Sequence, residues 1–472
     1  MSASASAGPA AVWPADPRSK ALALELYEAV ADRPLISVHN GLPARYLAED
    51  LPITDPIGLL ISHDQGLQAL LRTAGIRTEF TVTDGWRAEH ASRRAFVLLW
   101  RHLVGVWAQP WMRSEGDETA RLAGLPPFRD DTDPEAVYDA VAARLVDDPV
   151  YPRRVLAAAN LARFATSDDP ADDLSAHRLL AEDPSLSGRV VPTFSPDRYL
   201  DPGHRGWRTD ADLLAEVTGI GTEDLDGFLD ALRQRRRYFL DRGAEASEHH
   251  SSDVAIARLA PSDAVRLFGL ARSAELLPAE ALALQGHLLA ETGRMAADDG
   301  LALRLYPPAG FSAGTVDRPA ADRGIVDRIG PLLADVGSAP GFRLQLFTID
   351  TEAYAAEMVP AAAEHPALAA VPPTRFADDP AALRAIRVAA IGAEGPGRSL
   401  GVVDDMSAPF ALPARHRLGR RLDAGALAEL IVSGRLTEDQ AHTALSDAVA
   451  QKGAVADTGA VVRSGSGRPG GP

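Results

Sequence analysis

Short apolar runs alternate with longer amphipathic segments along most of this chain. Residues 210–243 and 423–451 repeat apolar positions three and four residues apart, a spacing that predicts helices. In the second segment, Thr437 and Gln440 form the T-x-x-Q pattern of a capping box at a helix amino terminus. The apolar runs predict strands at residues 34–39, 57–62, 161–167, 189–194, 243–248, 301–306, 342–349, 367–373 and 399–405.

Strands that alternate with helices are typical of a mainly parallel sheet. Eight of the nine predicted strands would close a (β/α)8 barrel, and the ninth would then be an over-prediction. Residues 85–150 lack strand patterns and contain Trp86, Trp100, Trp107 and Trp111. We therefore predict an α/β fold, a (β/α)8 TIM-like barrel with a helical insertion after the second strand. The tryptophans are interpreted as the packing core of that insertion rather than as a stacking surface.

The two ends of the chain differ in composition from the rest. Residues 1–11 are rich in Ser and Ala, and residues 452–472 end in a Gly/Ser/Pro-rich tail. Such segments bury too little apolar surface to remain ordered. We predict a disordered amino terminus over residues 1–11, a single barrel domain over residues 12–451 and a disordered tail over residues 452–472.

The overall composition narrows the classes of function. A formal net charge of -17 argues against binding to nucleic acid or to an anionic membrane, since both attract basic surfaces. The chain has no cysteine, which excludes disulfides, thiolate metal sites and a cysteine nucleophile. No signal peptide, membrane-length apolar run or Walker loop stands out. We expect a cytoplasmic protein that acts on a small molecule and uses no nucleotide cofactor.

Ionisable side chains stand where the predicted strands end, which is the edge that carries the chemistry in parallel α/β folds. His39, His249 and Asp405 end three of these strands, and we predict that they meet as the catalytic set. Two imidazoles and a carboxylate can hold a divalent metal, or they can act as general acid and base without one. The residues alone leave both readings open. Asp168 and Asp169 are interpreted as helix caps or solvated loop residues.

Six segments carry a resemblance to a known family: LISVHNGLPARYLAED, ATSDDPADDLSAH, RVVPTFSPD, GLALRLYPP, FRLQLFTID and VVDDMSAPFALPARHRLGRRLDAGALAELI. In their order and wording they resemble the uronate (glucuronate) isomerases of the amidohydrolase superfamily. The similarity runs from about residue 30 to residue 450. It implies a distorted (β/α)8 barrel and an isomerase of sugar acids.

The active-site motifs of that family are only partly present. Its H-x-H metal pair reads His39 and Gly41, its D-x-R motif reads Asp405 and Ser407, and the arginine of its P-T-x-R-P-D motif is replaced by Ser195. The resemblance therefore implies at most one divalent metal, Zn or Mn, weakly bound or absent, with the three strand-end residues named above as its ligands. Substrate contacts are predicted at Asn40, Asp64, Ser195, Tyr306, Arg375 and Ser407.

The framework of the family is present while its metal-binding and carboxylate-binding groups are changed. We therefore expect a uronate-isomerase-like enzyme repurposed for acid–base chemistry on another small polar substrate, in secondary metabolism. Isomerisation, dehydration, decarboxylation and hydrolysis all fit this expectation. One alternative is a true glucuronate or galacturonate aldose–ketose isomerase, and another is a non-catalytic binding relative. The sequence leaves homo-oligomer formation open, with the Trp-rich insertion as the candidate interface.

Overall fold

A computed structural model gives the fold of residues 12–38, 43–57, 92–98, 100–101, 121, 133–184, 186, 188–250, 254–306, 324–348, 351–372, 380–396, 401 and 412–450. Within these ranges, seven strands form one sheet whose order follows the chain. Each strand pairs in parallel with the next. The strands are β1 (Leu35–Ser37), β2 (Leu161–Asp168), β3 (Arg189–Phe194), β4 (Ala246–His250), β5 (Ala302–Tyr306), β6 (Leu344–Leu346) and β7 (Leu368–Ala370).

Helices occupy every connection between these strands, which confirms the prediction of an α/β barrel-type fold. Among the described helices, none combines the length and apolar character needed to cross a bilayer. The helices are Pro17–Glu28, Ala44–Glu49, Pro134–Asp147, Pro152–Ala158, Ser175–Ala181, Asp197–Leu200, Trp207–Thr218, Leu225–Leu240, Pro261–Ser273, Pro278–Asp299, Ile325–Val336, Thr351–Ala353, the π-helix Tyr354–Met358, Val359–Glu364, Pro380–Glu394, Leu412–Val432 and Glu438–Val449.

The prediction of a strand at residues 57–62 is wrong for its first residue, Ile57. Ile57 lies in a helical turn, because the Asp55 carboxylate accepts the Ile57 N–H at 3.0 Å and Pro56 suits the first helical position. In the described sheet, β1 pairs directly with β2. Residues 58–62 lie outside the described residues, as does most of the predicted strand 399–405.

The connection from β1 to β2 contains the predicted helical insertion. Residues 92–98 are helical, as is Pro134–Asp147. The Phe96 ring packs between Trp100 and Tyr138, with ring centroids 5.9 Å and 5.4 Å away. Trp100 is 3% exposed, which confirms its interpretation as a packing residue. The other three tryptophans of the segment lie outside the described residues.

The two faces of the sheet differ in chemistry. Residues that face each other in a parallel register point to the same side, and successive residues point to opposite sides. Leu305 and its register partner Leu346 belong to the large apolar core that also contains Phe228 of a covering helix, so they face the helices. The intervening pair, Arg304 and Gln345, therefore faces the interior of the barrel.

Arg304 spans that interior. Its Nε donates to Gln345 Oε1 at 2.9 Å, and its Nη1 donates to the Val38 carbonyl just after β1. In a flat sheet, β5 would lie four strand spacings from β1, about 19 Å, which is beyond the reach of an arginine side chain. The sheet is therefore curled. An apolar cluster of Val38, Tyr306, Phe347 and Val371 closes the same end of the interior.

The carboxyl-terminal helix Leu412–Val432 holds the segment that precedes β1. Arg420 is 3% exposed. Its guanidinium donates hydrogen bonds to four backbone carbonyls in the segment from Val30 to Pro34. The Nη1 contacts are Val30 at 2.9 Å, Ala31 at 3.1 Å and Arg33 at 2.9 Å, and the Nη2 contact is Pro34 at 2.9 Å. One side chain thus fixes the entry into the first strand from the far end of the chain.

A buried polar cluster lies on the helix-facing side of β2. Thr166 Oγ1 is 2.7 Å from Asp168 Oδ2 and 2.8 Å from His177 Nε2. Asp168 is 5% exposed, so its interpretation as a cap or solvated residue is wrong. Asp169 does behave as a loop residue and accepts the Ala171 N–H at 2.8 Å. Burial raises the pKa of Asp168 to about 7 and lowers the pKa of His177 to about 4.

The first prediction concerns Arg304. An Arg304→Met variant loses charged hydrogen bonds to two buried acceptors and should lower the free energy of unfolding by about 2–4 kcal/mol. Arg233→Met is the matched control, because Arg233 forms an exposed ion pair with Asp230 at 2.8 Å and should cost less than about 1 kcal/mol. Urea unfolding of both variants measures the difference. Equal effects of the two substitutions would contradict the role given to Arg304.

The second prediction concerns the pH dependence of stability. The contribution of Asp168 is full below its unfolded pKa of 3.8 and is lost as the pH rises through about 7. The contribution of His177 is full above its unfolded pKa of 6.5 and is lost as the pH falls through about 4. The two therefore oppose each other between these limits.

Single substitutions should separate the two contributions. His177→Gln should make the thermal midpoint fall as the pH rises from about 4 to about 7, relative to the unmodified protein. Asp168→Asn should make it fall as the pH drops from 6.5 towards about 4. Thermal melts across this range measure both. If both variants keep the pH profile of the unmodified protein, the buried cluster does not titrate as described.

Candidate active site

The carboxyl ends of β4 and β5 carry several polar residues of the barrel interior. In the parallel register, Glu248 stands opposite Arg304 and His250 stands opposite Tyr306. Because Arg304 faces the interior, Glu248, His250 and Tyr306 share that face. These strand ends are the edge at which barrel enzymes place their chemistry.

His249 faces the opposite way. It stands opposite Leu305, a helix-facing residue, and its side chain is fully buried. Its Nε2 lies 3.3 Å from Ser247 Oγ, and its Nδ1 lies 4.0 Å from Asp197 Oδ1. Burial lowers the pKa of His249 to about 4, so the ring is neutral at neutral pH. The prediction that His249 meets the other site residues at the barrel mouth is thus corrected by side-chain alternation along β4.

His250 is the histidine of β4 that is accessible. Its side chain is 49% exposed, and its Nδ1 lies 2.7 Å from Asp197 Oδ2. Its backbone N–H also faces the Asp197 carboxylate, at 3.1 Å and 3.2 Å from the two oxygens. A cavity of about 280 Å³ adjoins it, lined by Asp197, Arg198, Leu200, Asp201, His204, His250, Gln285 and Leu289.

Sequence reasoning missed His250 because it placed β4 too early. The strand was predicted from residue 243, but Gly243 has a φ of 89° and its N–H donates to the Leu240 carbonyl in the turn that ends the preceding helix. The strand therefore begins at Ala246 and runs through His250. Correct strand bounds and the period of two would have placed Glu248 and His250 on one face and His249 on the other.

Tyr306 is a predicted substrate contact, and the structure places its ring in the barrel interior. It is 6% exposed and lies between two other rings. The His250 ring centroid is 5.2 Å away at an interplanar angle of 23°, and the Phe347 centroid is 4.1 Å away at 22°. The three rings come from the ends of β4, β5 and the residue after β6, and they form a stack across the interior. We call this set the aromatic stack.

Glu248 is a second interior residue that sequence reasoning did not select. Its side chain is fully buried, and it accepts a hydrogen bond from the Ser167 hydroxyl of β2. Since β3 lies between β2 and β4, this contact crosses the interior face of one strand. The curled sheet thus places a carboxylate beneath the mouth of the barrel.

The remaining predicted site residues are placed only in part. Ser195 follows β3, is half-buried, and donates its backbone N–H to the Asp168 carbonyl at 3.0 Å. The other predicted residues lie outside the described residues: His39, Asn40, Gly41, Asp64, Arg375, Asp405 and Ser407. Their predicted roles stay predictions.

Of the three predicted metal ligands, His249 is the one that lies within the described residues, so its position can be compared with the prediction. Because its ring faces the helices, His249 does not fit as a ligand of a metal in the barrel mouth. Within the ranges that the structure describes, no three His, Asp or Glu side chains converge closely enough to hold a metal ion.

Comparisons with known proteins agree with the fold and with one another. A family model described as glucuronate isomerase matches residues 18–309. The uronate isomerase of Cutibacterium acnes is 34% identical over 91% of this chain and 93% of its own length. The uronate isomerase of Corynebacterium efficiens is 33% identical, over 95% of this chain and 98% of its own length.

Solved structures show the same architecture. The crystal structure of glucuronate isomerase from Caulobacter crescentus has a TM-score of 0.81 and 26% sequence identity, and covers 93% of this chain and 94% of that one. A uronate isomerase structure from Thermotoga maritima has a TM-score of 0.77 at 20% identity, covering 91% and 95%. The second likeness supports the fold alone.

These relatives correct the functional expectation. The main hypothesis of an enzyme repurposed for other chemistry is wrong, because relatives 34% and 33% identical over more than nine-tenths of the chain are uronate isomerases. The findings favour the alternative of a true isomerase. The chain is an isomerase-type enzyme of carbohydrate metabolism with a small-molecule substrate, and it belongs to the glucuronate isomerase family.

Proposed function

We propose that the protein is a uronate isomerase that interconverts the aldose and ketose forms of glucuronate or galacturonate. The observation that carries this proposal is the 34% identity to a uronate isomerase over 91% of the chain. The curled parallel sheet supports it, since it brings the carboxyl ends of distant strands to one mouth.

The reaction needs proton transfer at two neighbouring carbons. In the open-chain sugar acid, a base removes the proton from C2 while an acid protonates the C1 carbonyl oxygen, which gives an enediol. Return of a proton to C1 and loss of the proton on the C2 hydroxyl then leave a ketone at C2. No atom is gained or lost, so the enzyme must only hold the open chain and move protons.

We assign the proton transfers to His39 and Asp405, the two strand-end residues that the resemblance supplies besides His249. His249 is removed from this set, because its ring faces the helices. An imidazole titrates near neutrality and a carboxylate accepts protons readily, so the pair suits general acid and base roles.

The carboxylate of the substrate needs a cation. Arginine holds a carboxylate by two parallel, charge-assisted hydrogen bonds. Both family arginines are replaced by serine here, at Ser195 and Ser407. We propose that Arg375 supplies the cation instead, while Asn40, Asp64 and the two serines contact hydroxyl groups.

A divalent metal is a separate proposal. With Gly41 in place of the second histidine and His249 turned away, two of the three predicted protein ligands remain, His39 and Asp405. Two ligands would bind Zn or Mn weakly, since affinity depends on ligand number and geometry. Elemental analysis of untagged protein, before and after dialysis against a chelator, tests this. We expect less than one metal per chain, and a stoichiometric, chelator-resistant metal would contradict it.

The third prediction tests the proposed function. Purified untagged protein should convert D-glucuronate or D-galacturonate to the ketose, which proton NMR follows as loss of the anomeric H1 signals. His39→Ala and Asp405→Ala should each lower kcat by about 10²–10⁴-fold, as expected for removal of an acid–base group. His365→Ala is the matched control, because His365 is exposed and precedes β7 at the opposite edge of the sheet.

Two outcomes would contradict the proposal. An unmodified protein that converts neither sugar acid would remove the assigned function. Full conversion by both alanine variants would leave the function but remove His39 and Asp405 from the reaction.

A further inference from the structure

The buried polar cluster of β2 lies beside a predicted substrate contact. Asp168 is the last residue of β2, and its backbone carbonyl accepts the Ser195 N–H at 3.0 Å. Its side chain is buried on the helix-facing side of the sheet, where Oδ2 accepts the Thr193 N–H of β3 at 3.3 Å. Asp168 therefore joins the carboxyl ends of β2 and β3 next to Ser195.

The His177 ring donates a hydrogen bond to Thr166. Burial lowers the pKa of His177 to about 4, so the ring is neutral near pH 7 and carries one N–H. Its Nδ1 is buried and has no hydrogen-bond partner among the described residues, whereas its Nε2 lies 2.8 Å from Thr166 Oγ1. The hydrogen is therefore assigned to Nε2, where it has an acceptor. One lone pair of the Thr166 hydroxyl is then occupied.

The single hydrogen of the Thr166 hydroxyl has two acceptors within reach. Asp168 Oδ2 lies 2.7 Å away, and the Val191 carbonyl of β3 lies 3.2 Å away. When Asp168 is ionised, its carboxylate accepts this hydrogen. When Asp168 is protonated, the carboxyl group donates to Thr166 Oγ1, and the hydroxyl donates to the Val191 carbonyl instead. The proton on Asp168 thus adds a hydrogen bond between β2 and β3.

Burial, and not an ion pair, determines the charge on Asp168. The imidazole of His177, with Nε2 3.5 Å from Oδ2, is neutral near pH 7. Burial therefore raises the pKa of Asp168 to about 7, and the negative charges of Asp172 and Glu248 act in the same direction. Arginines of the surrounding elements are bonded elsewhere: Arg198 to Asp169 and Asp210, Arg235 to the carbonyls of Pro170 and Asp172, and Arg304, which stands opposite Glu248 in the register, to Gln345 and the Val38 carbonyl.

We propose that Asp168 is a pH-dependent specificity residue for the anionic substrate, protonated in the form that binds a uronate well and ionised in the form that binds it weakly. The uronate carboxylate is ionised throughout the neutral range, and a further negative charge at the carboxyl ends of β2 and β3 repels it. Loss of the hydrogen bond from Thr166 to Val191 also weakens the pairing of the two strands beside Ser195. This inference rests on the proposed function and deepens it.

The pH dependence of KM tests the proposal. KM of the unmodified protein for D-glucuronate or D-galacturonate should rise by about 3- to 10-fold as the pH increases through about 7. Asp168→Asn keeps the shape of the side chain and stays neutral, so the rise should disappear. Asp173→Asn is the matched control, because it removes a carboxylate of the same loop that is 70% exposed, and the rise should remain.

A second variant separates this role from a merely structural one. Thr166→Val keeps the shape of the side chain but removes the hydroxyl, whose hydrogen bond holds the pKa of Asp168 below the value that burial alone would give. The midpoint of the rise in KM should therefore move to higher pH. A structural role alone would change the thermal midpoints of the variants without moving the midpoint of this pH profile.

Infrared spectra follow the proton without turnover. The difference spectrum between the unmodified protein and Asp168→Asn should contain the C=O stretching band of a protonated carboxyl group below about pH 7, and this band should disappear above it. Thermal melts at pH 6 show whether each variant is folded. A difference spectrum without the band at any pH would overturn the proposal.

The outcomes distinguish the inference from the function on which it rests. If the unmodified protein converts uronates and its KM stays level through this pH range, the inference is refuted and the function stands. The same holds if Asp168→Asn shows the rise of the unmodified protein, or if Thr166→Val leaves its midpoint unmoved. If the unmodified protein neither converts nor binds a uronate, the proposed function fails, and this inference fails with it.

Discussion

The reach of Arg304 across the barrel is the constraint on which the rest of the structure depends. Arg304 lies on β5, and its guanidinium donates to Gln345 of β6 and to the Val38 carbonyl just after β1. That contact requires a curled sheet, and only a curled sheet brings the carboxyl ends of the strands to one mouth. A buried arginine bonded to neutral acceptors is expensive to desolvate, so its hydrogen bonds specify one closure of the sheet.

Alternation along a single strand then decides which residues reach the chemistry. On β4, His249 is directed at the helices and becomes a neutral, fully buried ring, while its neighbour His250 is directed at the interior. The same rule places the fully buried Glu248 inside, where it accepts a hydrogen bond from Ser167. The framework of the fold thus identifies the family, whereas the chemistry of the site depends on which of two neighbouring residues faces the interior.

Much of the fold could be predicted from the sequence, because its signals are local. The apolar run at 189–194 coincides with β3, and the run at 161–167 differs from β2 by one residue. The site could be predicted less well, since its geometry depends on where strands begin. Because of the turn at Gly243, β4 begins at Ala246 and extends through His250. His250, and not the predicted His249, therefore faces the interior. The contact of Arg304 with β1 has no local signal at all, because it exists only once the sheet has curled.

The Arg420 side chain joins the start of the barrel to its end. The carbonyls that it holds lie in the segment from Val30 to Pro34, nearly four hundred residues earlier in the chain. During synthesis on the ribosome, the hydrogen bonds that hold the segment before β1 can therefore form only after almost the whole polypeptide has emerged. Contacts so distant in sequence slow folding and leave apolar strands uncovered meanwhile. A chain that ended before residue 420 would lack all four of these hydrogen bonds.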